Sequence, residues 1–262
     1  MQRLLAAVQS ARVYDLAQPY YPGMPHHPNH PPFLFGLSKK HGDYVARNGA
    51  SSAAEGLMLG GHVGTHIDAL CHFSCGGKLH GGNDAAGLQT YASGLQEQSV
   101  DTIAPILRRG VLLDIAGQVG SEALPADFEI APAHLDAAAA AAQVDVQPGD
   151  VVLLRTGWAR FWDDAARFIA QVHGPGPGEA SARWLSSRRI FAAGSDTVAF
   201  EKVPDANMPV HVHLLVENGI HIMECLNLEE LAAERRYAFL FVAAPLKIRG
   251  GTGSPIRPLA IA

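Results

Sequence analysis

Residues 60–74 read GGHVGTHIDALCHFS and hold His62, His66, Asp68 and His72 within a short span. Imidazole nitrogens and a carboxylate are the donor set that binds Zn, Mn or Fe. A helical His-x-x-x-His pair would stack its rings on one face. Val63, Gly64 and Thr65 are poor helix formers, however, and no glutamate base follows the first histidine. An extended reading fits better, because all four residues share parity and project to one side of a strand. His66 and Asp68 then lie roughly 6.6 Å apart, close enough to share an ion. On a straight strand His62 would stand roughly 13 Å from His66, too far for one metal. Gly60, Gly61 and Gly64 permit a bulge or bend that folds His62 back. The spacing therefore predicts a departure from strand geometry near Gly64.

The chain around this segment has 262 residues. That is enough for a core that needs no disulfide or metal staple. Hydrophobic residues are 48% and charged residues 17%, which excludes a disordered composition. Lys plus Arg is 20 and Asp plus Glu is 25, and the net charge of −5 argues against nucleic acid and anionic membranes as partners. No run approaches the ~20 apolar residues of a membrane helix. The first residues lack the pattern of a secretory signal, so a cytoplasmic location is expected. Cys71, Cys75 and Cys225 make an odd count with no disulfide framework. Cys71 and Cys75 read as small hydrophobes rather than nucleophiles or ligands. Of 13 histidines, eight fall between His26 and His80, and histidine is the commonest metal ligand.

Short β-branched runs predict strands at 111–115, 151–155, 190–193, 220–223 and 237–243. Helical patterns at 134–143, 159–172, 179–187 and 228–234 alternate with them. Neither Pro/Gly-rich stretch, 19–33 or 173–179, is long enough for a domain linker. The expectation is one α/β domain over 1–262 with a mixed sheet flanked by helices. The Pro-rich loop carries His27 and His30, which could close over a site and contact a small-molecule substrate. His211 and His213 flank Val212; His211 is the metal-proximal candidate and His213 a contact to the substrate or to a metal ligand. Glu224 ends an apolar strand, where a carboxylate is costly unless paired, so it is a candidate ligand or ligand partner.

HVGTHIDALCHF resembles the signature His-x-Gly-Thr-His-x-Asp-x-Pro-x-His of the cyclase family of metal-dependent hydrolases, which includes kynurenine formamidases and isatin hydrolases. The likeness runs on through Asp15-Leu16, Gly23-Met24-Pro25, the stretch GDVVLLRTGW at 149–158, Met208-Pro209-Val210-His211, Gly219-Ile220, Glu224, and Pro245-Leu246-Lys247 with Gly251-Thr252-Gly253-Ser254-Pro255. It implies a swivelling β/β/α fold, a homodimer or homotetramer, and Mn or Zn as one or two ions. It also implies that His62, His66 and Asp68 hold the first metal, with Asp68 bridging if there are two. His211 and Glu224 would complete a second site, and His72 would be the general acid/base. Leu70 stands where the signature has Pro, and no Trp occurs near His27; both differences point away from N-formylkynurenine.

The expected activity is metal-dependent hydrolysis of a small cyclic or aryl amide, such as an isatin-like lactam. An arylformamidase or a lactone hydrolase of the same family is the nearest alternative. Two histidines and a carboxylate also suit a non-haem Fe(II) oxygenase, and a non-catalytic metal-binding protein is a further reading.

Overall fold

A computed structural model describes residues 2–262. In chain order the strands begin with β1 (Val13–Asp15), β2 (Leu34–Lys39), β3 (Ala54–Met58), β4 (His66–Asp68), β5 (Gln89–Thr90) and β6 (Gly94–Leu95). They continue with β7 (Ile106–Asp114), β8 (Glu129–Ile130), β9 (Val151–Arg155), β10 (Gly176–Pro177) and β11 (Ala192–Ser195). The last are β12 (His221–Glu224), β13 (Ala238–Ala243), β14 (Gly253–Pro255) and β15 (Leu259–Ile261). Among the described residues one nine-stranded sheet takes the order β1-β15-β13-β7-β9-β11-β12-β4-β14. Strands β7, β9, β11 and β12 run parallel at its centre, and both flanks are antiparallel. The mixed α/β architecture is the one that the alternating pattern predicts.

Alternation along the central strands explains two cores. Leu112 and Leu153 face one layer with Ile67, Met223 and Phe241. Val111, Leu113, Val152 and Leu154 face the other, against Leu135, Ala182 and Leu185. Those last three come from helices Pro132–Ala142 and Glu179–Ser187, so helices cover the second face. A third cluster joins Met24 and Phe33 of the Pro-rich loop to Val63, Trp158, Trp162 and Phe168, which fastens that loop beside residues 60–64.

Predicted and observed elements agree at 151–155 and 179–187, and within one or two residues at the helices around 134–143 and 228–234 and the strands around 190–193, 220–223 and 237–243. The 111–115 strand begins earlier, at Ile106. The predicted helix 159–172 is instead a turn of 3-10 helix (Trp158–Phe161) and a short helix (Ala165–Ile169). Asp164 interrupts it, because its side chain accepts the N–H of Arg167 and starts a new helix. Ala170, Gln171 and Val172 then adopt positive φ and stop it. Strands β2 and β3, which the sequence did not announce, form a hairpin apart from the main sheet.

Candidate metal centre

The register of β4 against β12 assembles the centre. His66 lies directly opposite Glu224, and Ile67 opposite Met223, so the two polar side chains share a face. Asp68 follows His66 at the strand period on that same face. Glu224 ends β12, at the carboxyl edge of the parallel strands, where open α/β sheets place their ligand crevices.

The single extended strand expected through all four motif residues is not found. Only His66–Asp68 is strand; His62 lies in a turn, and Leu70–His72 is one turn of 3-10 helix. The expected bend is present, since Gly64 has φ +63. A Cβ there would fall 2.5 Å from the Tyr20 ring. Tyr20 itself is fixed, with its hydroxyl 2.8 Å from the carbonyls of both Val63 and Thr65. Gly64→Ala therefore combines left-handed backbone strain with an overpacked contact. It is expected to cost about 3 kcal/mol, read as a lowered Tm.

The bend returns His62 to the carboxylate. His62 Nδ1 is 2.8 Å from Asp68 Oδ1, and its Nε2 is 2.9 Å from Thr252 Oγ1. His66 Nδ1 donates to the Gly64 carbonyl at 2.8 Å. That leaves His66 Nε2 facing Asp68 Oδ1 at 3.6 Å and Glu224 Oε2 at 3.4 Å. His211, at the end of the short helix Pro209–His211, turns Nδ1 to Glu201. Its Nε2 is 3.3 Å from Glu224 Oε1 and 3.9 Å from Asp68 Oδ2. His72 stacks on His62 with ring centroids 3.9 Å apart. Two overlapping groups thus have ligand atoms within 4.8 Å of one another: His62, Asp68 and His72, and Asp68, His211 and Glu224. Asp68 belongs to both.

The charge balance of this cluster calls for a cation. Asp68, Glu201 and Glu224 are all buried, and buried anions are costly unless paired. Asp68 Oδ2 is buried with no hydrogen-bond partner. Burial alone would raise the Asp68 carboxyl, but His72, His62 and His66 hold it well below the usual carboxylate range. Glu224 is likewise held down to about 2: burial opposes ionisation, and His211 and His66 outweigh it. Burial opposes a charge on His211 too, yet Glu201 and Glu224 carry its pKa up to about 10. His72 behaves oppositely: burial, opposed by Asp68 and reinforced by His62 and His211, pushes it down to about 3. It is a neutral imidazole near pH 7. An unpartnered carboxylate oxygen amid nitrogen and oxygen donors fits a divalent ion of the Zn or Mn kind.

The centre lines a cavity of about 520 Å³ with His27 and His30 at its side, as the Pro-rich loop suggested. His30 lies over His62 at 5.0 Å. Phe73, Val172, Val198, Ala199, Val203, Pro204 and Met208 supply apolar walls. His213, expected at the substrate, is elsewhere. Its ring is 2.6 Å from Glu217 and 2.9 Å from Ser186, and Asn218 donates to its carbonyl. After His211 the chain continues as a wide π-type turn, Val212–Glu217. His213 points from that turn into the helix packing, not into the cavity. Cys71 and Cys225 are buried with thiols raised by burial, which suits the inert reading of Cys71.

Glu201 went unnoticed in the sequence, and Thr252 stood only within the C-terminal likeness, with no role of its own. Glu201 sits between Phe200 and Lys202 with no motif around it. Thr252 lies in a Gly-rich stretch whose approach to His62 depends on β14 pairing with β4.

Buried imidazoles and carboxylates that share one aspartate and open to an apolar cavity make a candidate metal site. The chain belongs to the Cyclase family, whose model matches residues 14–202. Isatin hydrolase of Roseibium aggregatum is 30% identical over 213 residues, 78% of this chain and 73% of that protein. Kynurenine formamidase of Bacillus cereus is 24% identical over 243 residues, 93% and 94% of the two chains. A crystal structure described as a novel cyclase has TM-score 0.89 and 30% identity, covering 100% of this chain and 90% of that one. The protein is thus a cyclase-family member related to isatin hydrolase and kynurenine formamidase. Among the described residues no helix is long and apolar enough to cross a membrane.

Proposed function

We propose that the protein hydrolyses a small cyclic or aryl amide, an isatin-like lactam first among them, using Mn or Zn held around Asp68. The observation that carries this reading is the unpartnered, buried Asp68 Oδ2 at the meeting point of both donor groups. On the family signature His62, His66 and Asp68 would hold one ion, although the donor group found there has His72 in place of His66, and Asp68, His211 and Glu224 would hold a second. A divalent ion supplies a bound water of pKa near ~7 and polarises a carbonyl. His72 is the general acid/base: its neutral ring accepts the water proton and returns it to the leaving nitrogen. Phe73, Val198, Ala199 and Met208 exclude water and pack a flat ring, while His27 and His30 contact it from the loop.

Turnover tests the reading. Isatin, N-formylkynurenine and an aryl lactone are offered to the metal-loaded protein without O₂. Ring opening of isatin is the expected result. Hydrolysis confined to the other two moves the assignment to an arylformamidase or a lactone hydrolase. O₂-dependent consumption with Fe(II), or no turnover at all, contradicts it.

The functional unit we propose is a homo-oligomer, at least a dimer, with the β2–β3 hairpin docked on a second copy. Every residue of β3 and nearly all of β2 is exposed. Leu34, Phe35, Leu37, Tyr44, Val45, Leu57 and Met58 are each about half exposed or more. Homodimer interfaces are more apolar than the rest of a protein's surface, and a hairpin apart from its sheet is marginal alone. Light scattering is expected to show a dimer or tetramer that Leu37→Asp converts to a smaller species. A wild-type monomer would overturn this.

A further inference from the structure

Glu201 belongs to neither donor group, yet it is 1% exposed and touches one of their members. Its Oε2 accepts the backbone N–H of His211 at 2.9 Å and is hydrogen-bonded to ring Nδ1 of the same residue. Its Oε1 accepts the N–H of Val210 at 3.2 Å. One carboxylate thus holds both the start of the helix Pro209–His211 and the imidazole at its end. An ionised carboxylate has acceptors only, so the proton in the ring contact lies on Nδ1. In the neutral ring the lone pair is then on Nε2, the atom 3.3 Å from Glu224 and 3.9 Å from Asp68.

We propose that Glu201 is a positioning residue: it fixes the tautomer and ring orientation of His211, so that the Nε2 lone pair is presented to a divalent ion beside Asp68 and Glu224. The inference rests on reading that group as a metal centre. Capping backbone amides requires only an acceptor near the helix start. The same carboxylate also reaches the ring, as partners of metal-bound histidines do.

Glu201→Ala removes every contact to His211, whereas Glu201→Gln keeps the volume and can keep the two that meet at Oε2. With its amide oxygen in that position Gln still accepts from the backbone N–H and from Nδ1, and only the longer contact to Val210 is given up. Nitrogen-15 NMR of histidine-labelled, Zn²⁺-loaded protein, with His211→Ala to assign the signal, is expected to show Nδ1–H and a metal-bound Nε2 at His211 in wild type and E201Q, and to lose that pattern in Glu201→Ala. Zn²⁺ titration against a competing chelator is expected to show one site weakened about 10–100-fold in Glu201→Ala and restored toward wild type in E201Q. A wild type that takes up no Zn²⁺ overturns the metal reading and this inference together. A wild type that binds, with Glu201→Ala binding equally tightly and its His211 signal unchanged, overturns only the inference and leaves Glu201 a helix cap.

Discussion

Asp68→Asn is expected to remove both bound metal and turnover. Asp68 is the one residue common to the two donor groups, and one of its oxygens is buried with no hydrogen-bond partner. Asn keeps the shape and an acceptor for His62 but carries no charge. A metal contributes several kcal/mol of transition-state stabilisation. At about 1.4 kcal/mol per tenfold, the loss is on the order of 10³-fold or more in kcat/KM. Elemental analysis and steady-state rates of the variant check this together. Retained metal with retained turnover would show that Asp68 is not the hub.

His72→Ala is expected to separate binding from chemistry. The ring stacks on His62 at 3.9 Å and lines the cavity. Burial keeps it unprotonated near neutrality, the form that accepts a proton. Loss of a general acid/base costs about 10²–10⁴-fold in rate, so kcat should fall by that range while metal content stays at the wild-type value. The geometry also sets a stringent alternative, because His72 lies within ligand reach of His62 and Asp68. Metal lost together with activity would make His72 a ligand, and the acid/base role would pass to another group.

Features set locally along the chain were legible in its sequence, and those set by pairing of distant segments were less so. Parity placed His66 and Asp68 on one face, and the strand period is a local property. The poor fit of His62 to a straight strand required a bend, and Gly64 supplies it at φ +63. The opposition of His66 and Glu224 is non-local, since it comes from the pairing of β4 with β12. The apolar-strand argument still marked Glu224, because burying a carboxylate demands partners. Glu201 gave no such sign, as its neighbours form no recognisable element. His213 was a candidate only through its nearness to His211, two residues away across Val212. In the π-type turn the two rings diverge, and His213 is held by Glu217 and Ser186. The hairpin escaped notice because its strands lack the alternation that a half-buried sheet imposes: both faces are exposed.

The central claim is that a divalent ion around Asp68 is needed for hydrolysis. Its most direct test is elemental analysis of the purified protein, followed by hydrolysis rates before and after dialysis against a chelator and after returning Mn²⁺ or Zn²⁺, all without O₂. The account predicts bound Mn or Zn at one or two ions per chain, loss of turnover on stripping, and recovery on return of the ion. Full turnover by protein shown to be metal-free would contradict it.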